Sequence, residues 1–211
     1  LTGHPGVYAA FRVTDVKTAA AGIRALSIAG VSVTIPHKVR IMKHLDAVDE
    51  TAQDIGAVNT VVNTDGRLTG YNTDSQGAVM ALSEHTAIRG RRILVIGAGG
   101  AARAVAYGLI QQGGRVCIVN RSMEKGEKLA RFLGADFYPL DQAAAMSADI
   151  LINTTPVGMH PMWMPCPLLR MYFIPIWWSW ILSTTRSKPA SFRPPRLRDA
   201  VLWTGWPCSS I

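Results

Sequence analysis

Three groups of residues in this chain could carry chemistry. The first is Gly97-Ala98-Gly99-Gly100-Ala101-Ala102, placed between the branched apolar run Ile93–Ile96 and a series of small residues at helical spacing. That order predicts a strand, a tight turn and a helix. Gly97 lets the chain turn sharply, and Gly99 lets the backbone approach a pyrophosphate. A helix opening near Gly100 offers unpaired N–H groups and the positive end of its dipole to an anion. Ala102 stands where a third glycine would allow close helix–strand packing. The same turn occurs in α/β proteins that hold no nucleotide. A strand before it and a helix after it are the context that favours dinucleotide binding.

The second group ends the next apolar run, Arg115–Val119. It is Asn120-Arg121-Ser122, with Lys125 one helical turn further on. A site for NAD usually places an acidic residue here to bond the ribose hydroxyls. Two cations instead suit the 2′-phosphate of NADP, because a guanidinium can grip phosphate through two hydrogen bonds. The alternative is that both are solvated surface charges. The third group is Lys38 and Asp74. Pro36-His37-Lys38 opens a helix predicted to run through Leu45. A cation in the first turn opposes the helix dipole, which gives Lys38 a reason to release its proton more readily. It can equally be a surface lysine, and His37 reads as an exposed loop histidine. Asp74 leads into a helix predicted over residues 75–83 and is well suited to cap it, a role compatible with catalysis.

The elements that must position these groups fall into two units. Residues 7–13 read as a strand after a turn, an opening that looks like a chain lacking its beginning. A helix over residues 15–29, with Gly30 as its C-cap, leads to a strand over 31–35 that Pro36 ends. Residues 46–54 are acidic and helical. Strands over 57–63 and 68–71 form a hairpin around Asp65-Gly66. A boundary is expected at residues 88–90. Beyond it come strand 92–96, helix 100–112, strand 115–119, helix 123–133, a short strand near 136–138, helix 140–146 and strand 149–153. That alternation predicts a parallel sheet with right-handed crossovers. Thr154 and the residues after it lie at the carboxyl edge of that sheet, where ligands bind in such folds.

Composition removes several function classes. Hydrophobic residues make up 48% of the 211, enough for a packed core. No run approaches the roughly 20 apolar residues of a membrane span, and no secretory leader opens the chain, so a cytoplasmic location is expected. Three cysteines without a pairing pattern argue against a disulfide framework, and Cys117 in mid-strand reads as a small buried hydrophobe. No metal site is expected. The net charge of +8 is concentrated in residues 162–211, which carry net +5, against +3 for residues 1–161. Binding to nucleic acid is therefore not expected.

Six ordered segments carry a family resemblance over about residues 7–161. They are Val33–Lys38, Gly56–Thr60, Gly70–Asp74, Gly97–Ala102, Asn120–Ser122 and Asn153–Pro156. Together they resemble the shikimate dehydrogenases. The resemblance implies an NADP-dependent oxidoreductase interconverting 3-dehydroshikimate and shikimate in the biosynthesis of aromatic amino acids. It implies an α/β substrate domain over residues 1–88, a Rossmann-like parallel-sheet NADP domain over 89–161, both incomplete, and an active site between them. Lys38 matches the family's catalytic lysine and Asp74 its partner aspartate. Hydride leaves a secondary alcohol carbon while the hydroxyl proton goes to a base, which a Lys–Asp pair can hold and relay. Thr34 and Asn59 match contacts to substrate hydroxyls. Glu50 falls where the family carries an acid near the nicotinamide. Gly97, Ala98, Gly99, Gly100, Ala101, Asn120, Arg121, Ser122, Lys125 and Thr154 match the cofactor site. The partner is the small-molecule substrate; no membrane partner is implied, and oligomeric state is left open.

Two departures stand out. The serine-bearing loop by which the family grips the substrate carboxylate is absent. A quinate-using relative and an inactive nucleotide-binding remnant are therefore the rival readings. The other departure is the tail, residues 162–211. It holds all six tryptophans, seven of twelve prolines and one acid, without a lasting helical or strand period. A one-nucleotide frame slip near Pro161 is the expected cause: with suitable codons, Trp180–Arg186 rereads as Asp-Ile-Val-Tyr-Asn-Pro-Leu, a segment typical of the family. A membrane-surface or partner-binding segment rich in Trp and Arg is the alternative, and it lacks the amphipathic period such a segment needs.

Overall fold

A computed structural model describes residues 6–157 and the backbone of residues 202–204. Two sheets organise them. The first is built from β1 (Gly30–Ser32), β2 (Ala47–Val48), β3 (Thr60–Thr64) and β4 (Arg67–Tyr71), in the order β1-β3-β4-β2. β3 and β4 form the expected hairpin, pairing Val61 with Gly70 and Asn63 with Leu68. Its turn residues Asp65 and Gly66 both have positive φ, 50° and 86°, as a two-residue turn matched to strand twist requires. Helix α1 (Val16–Ala25) covers one face. It buries Val16, Ala20 and Ile23, a stripe at helical spacing, with Val61 and Leu68.

The second sheet is parallel throughout. It contains β5 (Arg92–Ile96), β6 (Arg115–Asn120), β7 (Asp136–Pro139), β8 (Ile150–Asn153) and β9 (Leu202–Thr204), in the order β7-β6-β5-β8-β9. Helices α4 (Gly100–Gln111) and α5 (Met123–Leu133) pack on one face. Ile93 and Val95 are buried there, while Leu94 and Ile96 are buried on the other face beside Val119 and Cys117. Burial on both faces explains why β5 is apolar without alternation. Cys117 is 3% exposed, as expected, and burial first, then Asp136, pushes its thiol up to about 11. Helix α3 (Asp74–Ser83) belongs to this packing as well, since Ala78 and Leu82 share a core with Val105 and Leu109 of α4. The contact is close: a Cβ on Gly108 would lie 2.6 Å from Ser75 Oγ. Among the described residues, no helix is long and apolar enough to cross a membrane.

Several boundaries differ from the sequence expectation. Residues 6–13 form no strand, and Val7, Tyr8 and Phe11 are 97%, 74% and 71% exposed. Strand propensity is realised only where a neighbouring strand supplies hydrogen bonds. Helix α1 ends at Ala25 because Ser27 turns left-handed (φ 51°), so Gly30 opens β1 instead of capping the helix. The helix expected from Pro36 to Leu45 is a turn followed by a short 3-10 helix, Ile41–His44. Pro36 brings no N–H, and the Lys38 carbonyl accepts a hydrogen bond from Val58 N (2.8 Å), so it is spent across the sheet instead of along a helix. Lys38 therefore lies in no helical first turn, and the dipole argument for it does not hold. The expected helix over residues 46–54 is split into β2 and α2 (Glu50–Ile55), which Asp49 caps and Gly56 ends at φ 70°. The expected helix over 140–146 is 3-10, Leu140–Ala145. In the tail, Leu202–Thr204 does pair with Leu151–Asn153, because a strand edge offers backbone groups to an extended segment whatever its side-chain pattern. The rest of the tail, and with it the frame-slip expectation, lies outside the described residues.

Candidate active site

The first sheet brings Lys38, which follows β1, and Asp74, which follows β4, together across 36 residues of sequence. Lys38 Nζ stands 2.5 Å from Asp74 Oδ2, with side chains 15% and 20% exposed. Asn59, just before β3, donates through Nδ2 to Asp74 Oδ1 (2.7 Å) and to Thr73 Oγ1 (2.9 Å). Its own backbone is fixed, accepting from Val33 N at 2.7 Å and donating to Tyr71 O at 3.0 Å. Both carboxylate oxygens of Asp74 are thus engaged by side chains, and neither caps α3. The cap comes from Asn72, whose Oδ1 accepts from Asp74 N (3.0 Å) and Ser75 N (3.3 Å). Asn72 is 9% exposed, and its Nδ2 donates to Ala57 O at 2.8 Å. The sequence reading passed over this residue. The available signal was an Asn two positions before the Asp, the spacing at which Asx side chains bond backbone N–H groups.

The turn that carries Lys38 opens at Thr34, which is exposed and accepts from His37 N at 2.9 Å. His37 is half-buried, not exposed as expected. Its Nε2 lies 3.0 Å from Val13 O, and its Nδ1 is buried without a partner among the described residues. The histidine thereby ties the segment before α1 to the Lys38 turn. Glu50 is an exposed residue at the start of α2 and makes no side-chain hydrogen bond or ion pair among the described residues.

The glycine turn leads directly into an uncapped helix start. Gly97 has φ +120°, and Gly99 is the N-cap of α4 with no side chain bonding the first-turn N–H groups. The N–H groups of Gly100, Ala101 and Ala102 therefore lack protein acceptors within their helix. Among the described residues, its chain neighbours aside, nothing lies within 4 Å of where a Gly99 Cβ would stand, which leaves a cradle with room for a phosphate, with Ala98 beside it. Thr154 closes the back of the turn: its Oγ1 donates to Ile96 O (2.7 Å), and a Gly97 Cβ would lie 2.5 Å from that oxygen. At the end of β6, Asn120 Nδ2 donates to Ser122 O (2.8 Å), and Ser122 caps α5 by accepting from Lys125 N. Arg121 and Lys125 are both exposed there. Open amides and two exposed cations fit a phosphorylated dinucleotide. The cradle and the ion pair adjoin directly, because a Cβ on Gly100 would lie 2.8 Å from Lys38 Cβ. Further along α4, Tyr107 donates to Asp54 Oδ2 at 3.1 Å, joining α4 to α2.

Comparison with known proteins gives the chain's relatives. A family model described as the shikimate dehydrogenase substrate binding domain matches residues 1–61, and one described as shikimate / quinate 5-dehydrogenase matches residues 79–160. The chain is 50% identical over 169 residues to shikimate dehydrogenase (NADP(+)) of Geobacillus kaustophilus, covering 75% of this chain and 61% of that protein. It is 46% identical over 170 residues to the one of Methanothermobacter thermautotrophicus, covering 75% and 60%. The chain thus spans about 60% of the length of these relatives. Among solved structures, shikimate 5-dehydrogenase from Thermus thermophilus in complex with NADP(H) and shikimate is 40% identical, with a TM-score of 0.60, covering 68% of this chain and 54% of that one.

Proposed function

This chain belongs to the shikimate dehydrogenase family, and we propose that it catalyses the NADP-dependent interconversion of shikimate and 3-dehydroshikimate in the cytoplasm. The observation that carries the reading is the Lys38–Asp74 pair, at 2.5 Å, set against the open N-terminus of α4. When bound, the dinucleotide supplies the hydride carrier. The first-turn amides of α4 would hold its pyrophosphate, and Arg121 with Lys125 would hold the 2′-phosphate.

The remaining chemistry belongs to the chain. Lys38 holds the substrate oxygen at the reacting carbon. In the reducing direction Nζ donates a proton to that oxygen, and in the oxidising direction it takes the proton back. Asp74 keeps the amine in place and stabilises it as the ammonium. Asn59 orients Asp74 by donating from Nδ2 to its Oδ1, and Thr34 offers a hydrogen bond to another hydroxyl of a polyhydroxylated ring. The relatives' names and the shikimate in the Thermus thermophilus complex support this choice of substrate.

The test is formation of NADPH from NADP+ and shikimate by this chain, with quinate and NAD+ run in parallel. Turnover with shikimate and NADP+ is expected. No turnover with any pairing, in a chain that titrates with NADPH, overturns the enzymatic reading. A second measurement checks the cofactor assignment. Arg121→Ser is expected to weaken NADP+ binding by roughly tenfold, the loss of a charge-assisted hydrogen bond, and to leave NAD+ binding nearly unchanged. Equal loss for both dinucleotides would move Arg121 away from the 2′-phosphate.

A further inference from the structure

We propose that Gly100 is a positioning residue for Lys38: its missing side chain makes room for the lysine stem, whereas that of Gly99 makes room for the ligand. The two glycines are adjacent, yet their surroundings differ. Among the described residues, its chain neighbours aside, a Cβ at Gly99 meets nothing within 4 Å, so a methyl there stands in the space left for a ligand. A Cβ at Gly100 would meet Lys38 at three atoms, Cβ at 2.8 Å, Cδ at 3.3 Å and Cγ at 3.6 Å. The closest of these is not the free end of a flexible chain. Lys38 Cβ is fixed to a backbone whose carbonyl accepts from Val58 N at 2.8 Å, in the loop that leads to Asn59.

Helix α4 touches the other half of the pair too. At Gly108 it receives Ser75, the residue after Asp74, so closely that a Cβ would lie 2.6 Å from Ser75 Oγ. One helix therefore seats the Lys38 stem at its first turn and the start of α3 two turns later. The 2.5 Å separation of Lys38 Nζ and Asp74 Oδ2 is measured out along α4, and a methyl at residue 100 displaces one end of it.

The inference rests on the role proposed for Lys38, and its test does not need turnover. Gly100→Ala and Gly99→Ala are compared with the unaltered chain by peptide-resolved acetylation of Lys38, by NADPH titration and by kinetics. In Gly100→Ala, acetylation of Lys38 is expected to rise about two- to fivefold, the factor for losing an ion pair of this exposure. NADPH affinity is expected to fall by less than in Gly99→Ala, and kcat to fall by about 10²-fold, as a displacement near 1 Å brings. Gly99→Ala is expected to show the reverse: Lys38 acetylation unchanged and NADPH affinity reduced. Unchanged acetylation in Gly100→Ala, with a loss of affinity like that of Gly99→Ala, overturns the proposal. If Gly100→Ala does not fold, Lys38→Gly/Gly100→Ala removes the opposing Cβ, and recovery of a cooperative thermal transition supports the proposal. Continued misfolding of that double variant overturns it. A chain that shows this acetylation pattern without turnover would retain the positioning role and lose only the enzymatic reading.

Discussion

Lys38→Met is expected to lower kcat for shikimate oxidation by about 10²- to 10⁴-fold, the range for removing a positioned acid–base group, while NADPH affinity stays within a factor of two or so, since none of the phosphate-binding groups is touched. Methionine keeps much of the stem that rests on Gly100 and removes the proton-carrying nitrogen. The structural consequence is small. Asp74 loses one partner, but it is 20% exposed and keeps the 2.7 Å bond from Asn59, so water and Asn59 satisfy the carboxylate. A partly exposed pair of this kind contributes about 1 kcal/mol or less to stability. Steady-state kinetics beside a urea melt separates the two effects. A loss of turnover matched by a large loss of stability would mean that the pair holds the fold together instead of doing chemistry. Asp74→Asn probes the same pair from the other side, because an amide can still accept from Lys38 but no longer stabilises the ammonium.

Gly97→Ala is the second large effect, and it acts through the backbone. The φ of +120° is a conformation that residues with a Cβ rarely adopt, and strain of this kind costs on the order of 1–3 kcal/mol. The new methyl would also stand 2.5 Å from Thr154 Oγ1 and 3.3 Å from Thr155 Cγ2. Thr154 cannot simply swing away, because its hydroxyl and its N–H both bond Ile96 O, at 2.7 and 2.9 Å. Loss of about 3 kcal/mol or more is expected when strain and clash combine, together with loss of measurable NADPH binding as the turn opens. Adding Thr154→Ala should restore part of the stability by removing the clash, and none of the part owed to φ. Full recovery in that double variant would show that strain at residue 97 contributes nothing.

Much of the nucleotide-binding half was legible in the amino-acid order. Strand 92–96 falls where expected, and helix 100–112 and strand 115–119 differ from the observed α4 and β6 by one residue each. In a parallel sheet with short connections, each strand is a continuous apolar run and each helix carries a local signal. The Asp65-Gly66 turn was legible for the same reason, since its two positive φ angles are demanded locally. The first half was read less well. Residues 7–13, the supposed helix after Pro36 and the split of residues 46–54 all turn on partners distant in sequence. Val58 takes the Lys38 carbonyl, and Thr69 and Gly70 pair with Ala47 and Val48. No local periodicity announces such pairings.

The sequence by itself determined which residue types were available: a lysine, an aspartate, an asparagine and a glycine turn, each with its own chemistry. It also determined the parallel sheet that presents the turn at its carboxyl edge. Only the tertiary structure decided what those residues do to one another. The expected reasons for Lys38 and Asp74, a helix dipole and a helix cap, both fail. The dipole argument fails because there is no α-helix at Lys38, and the cap argument because Asn72 caps α3. What holds the pair is packing: Lys38 is seated on Gly100, Asp74 is gripped by Asn59, and α3 lies against α4. A hydrogen bond or a van der Waals contact depends on distances of a few ångströms: pairing in the first sheet brings residues 38, 59 and 74 within that reach, and the packing of α4 brings residue 100 to them, contacts between residues distant in sequence.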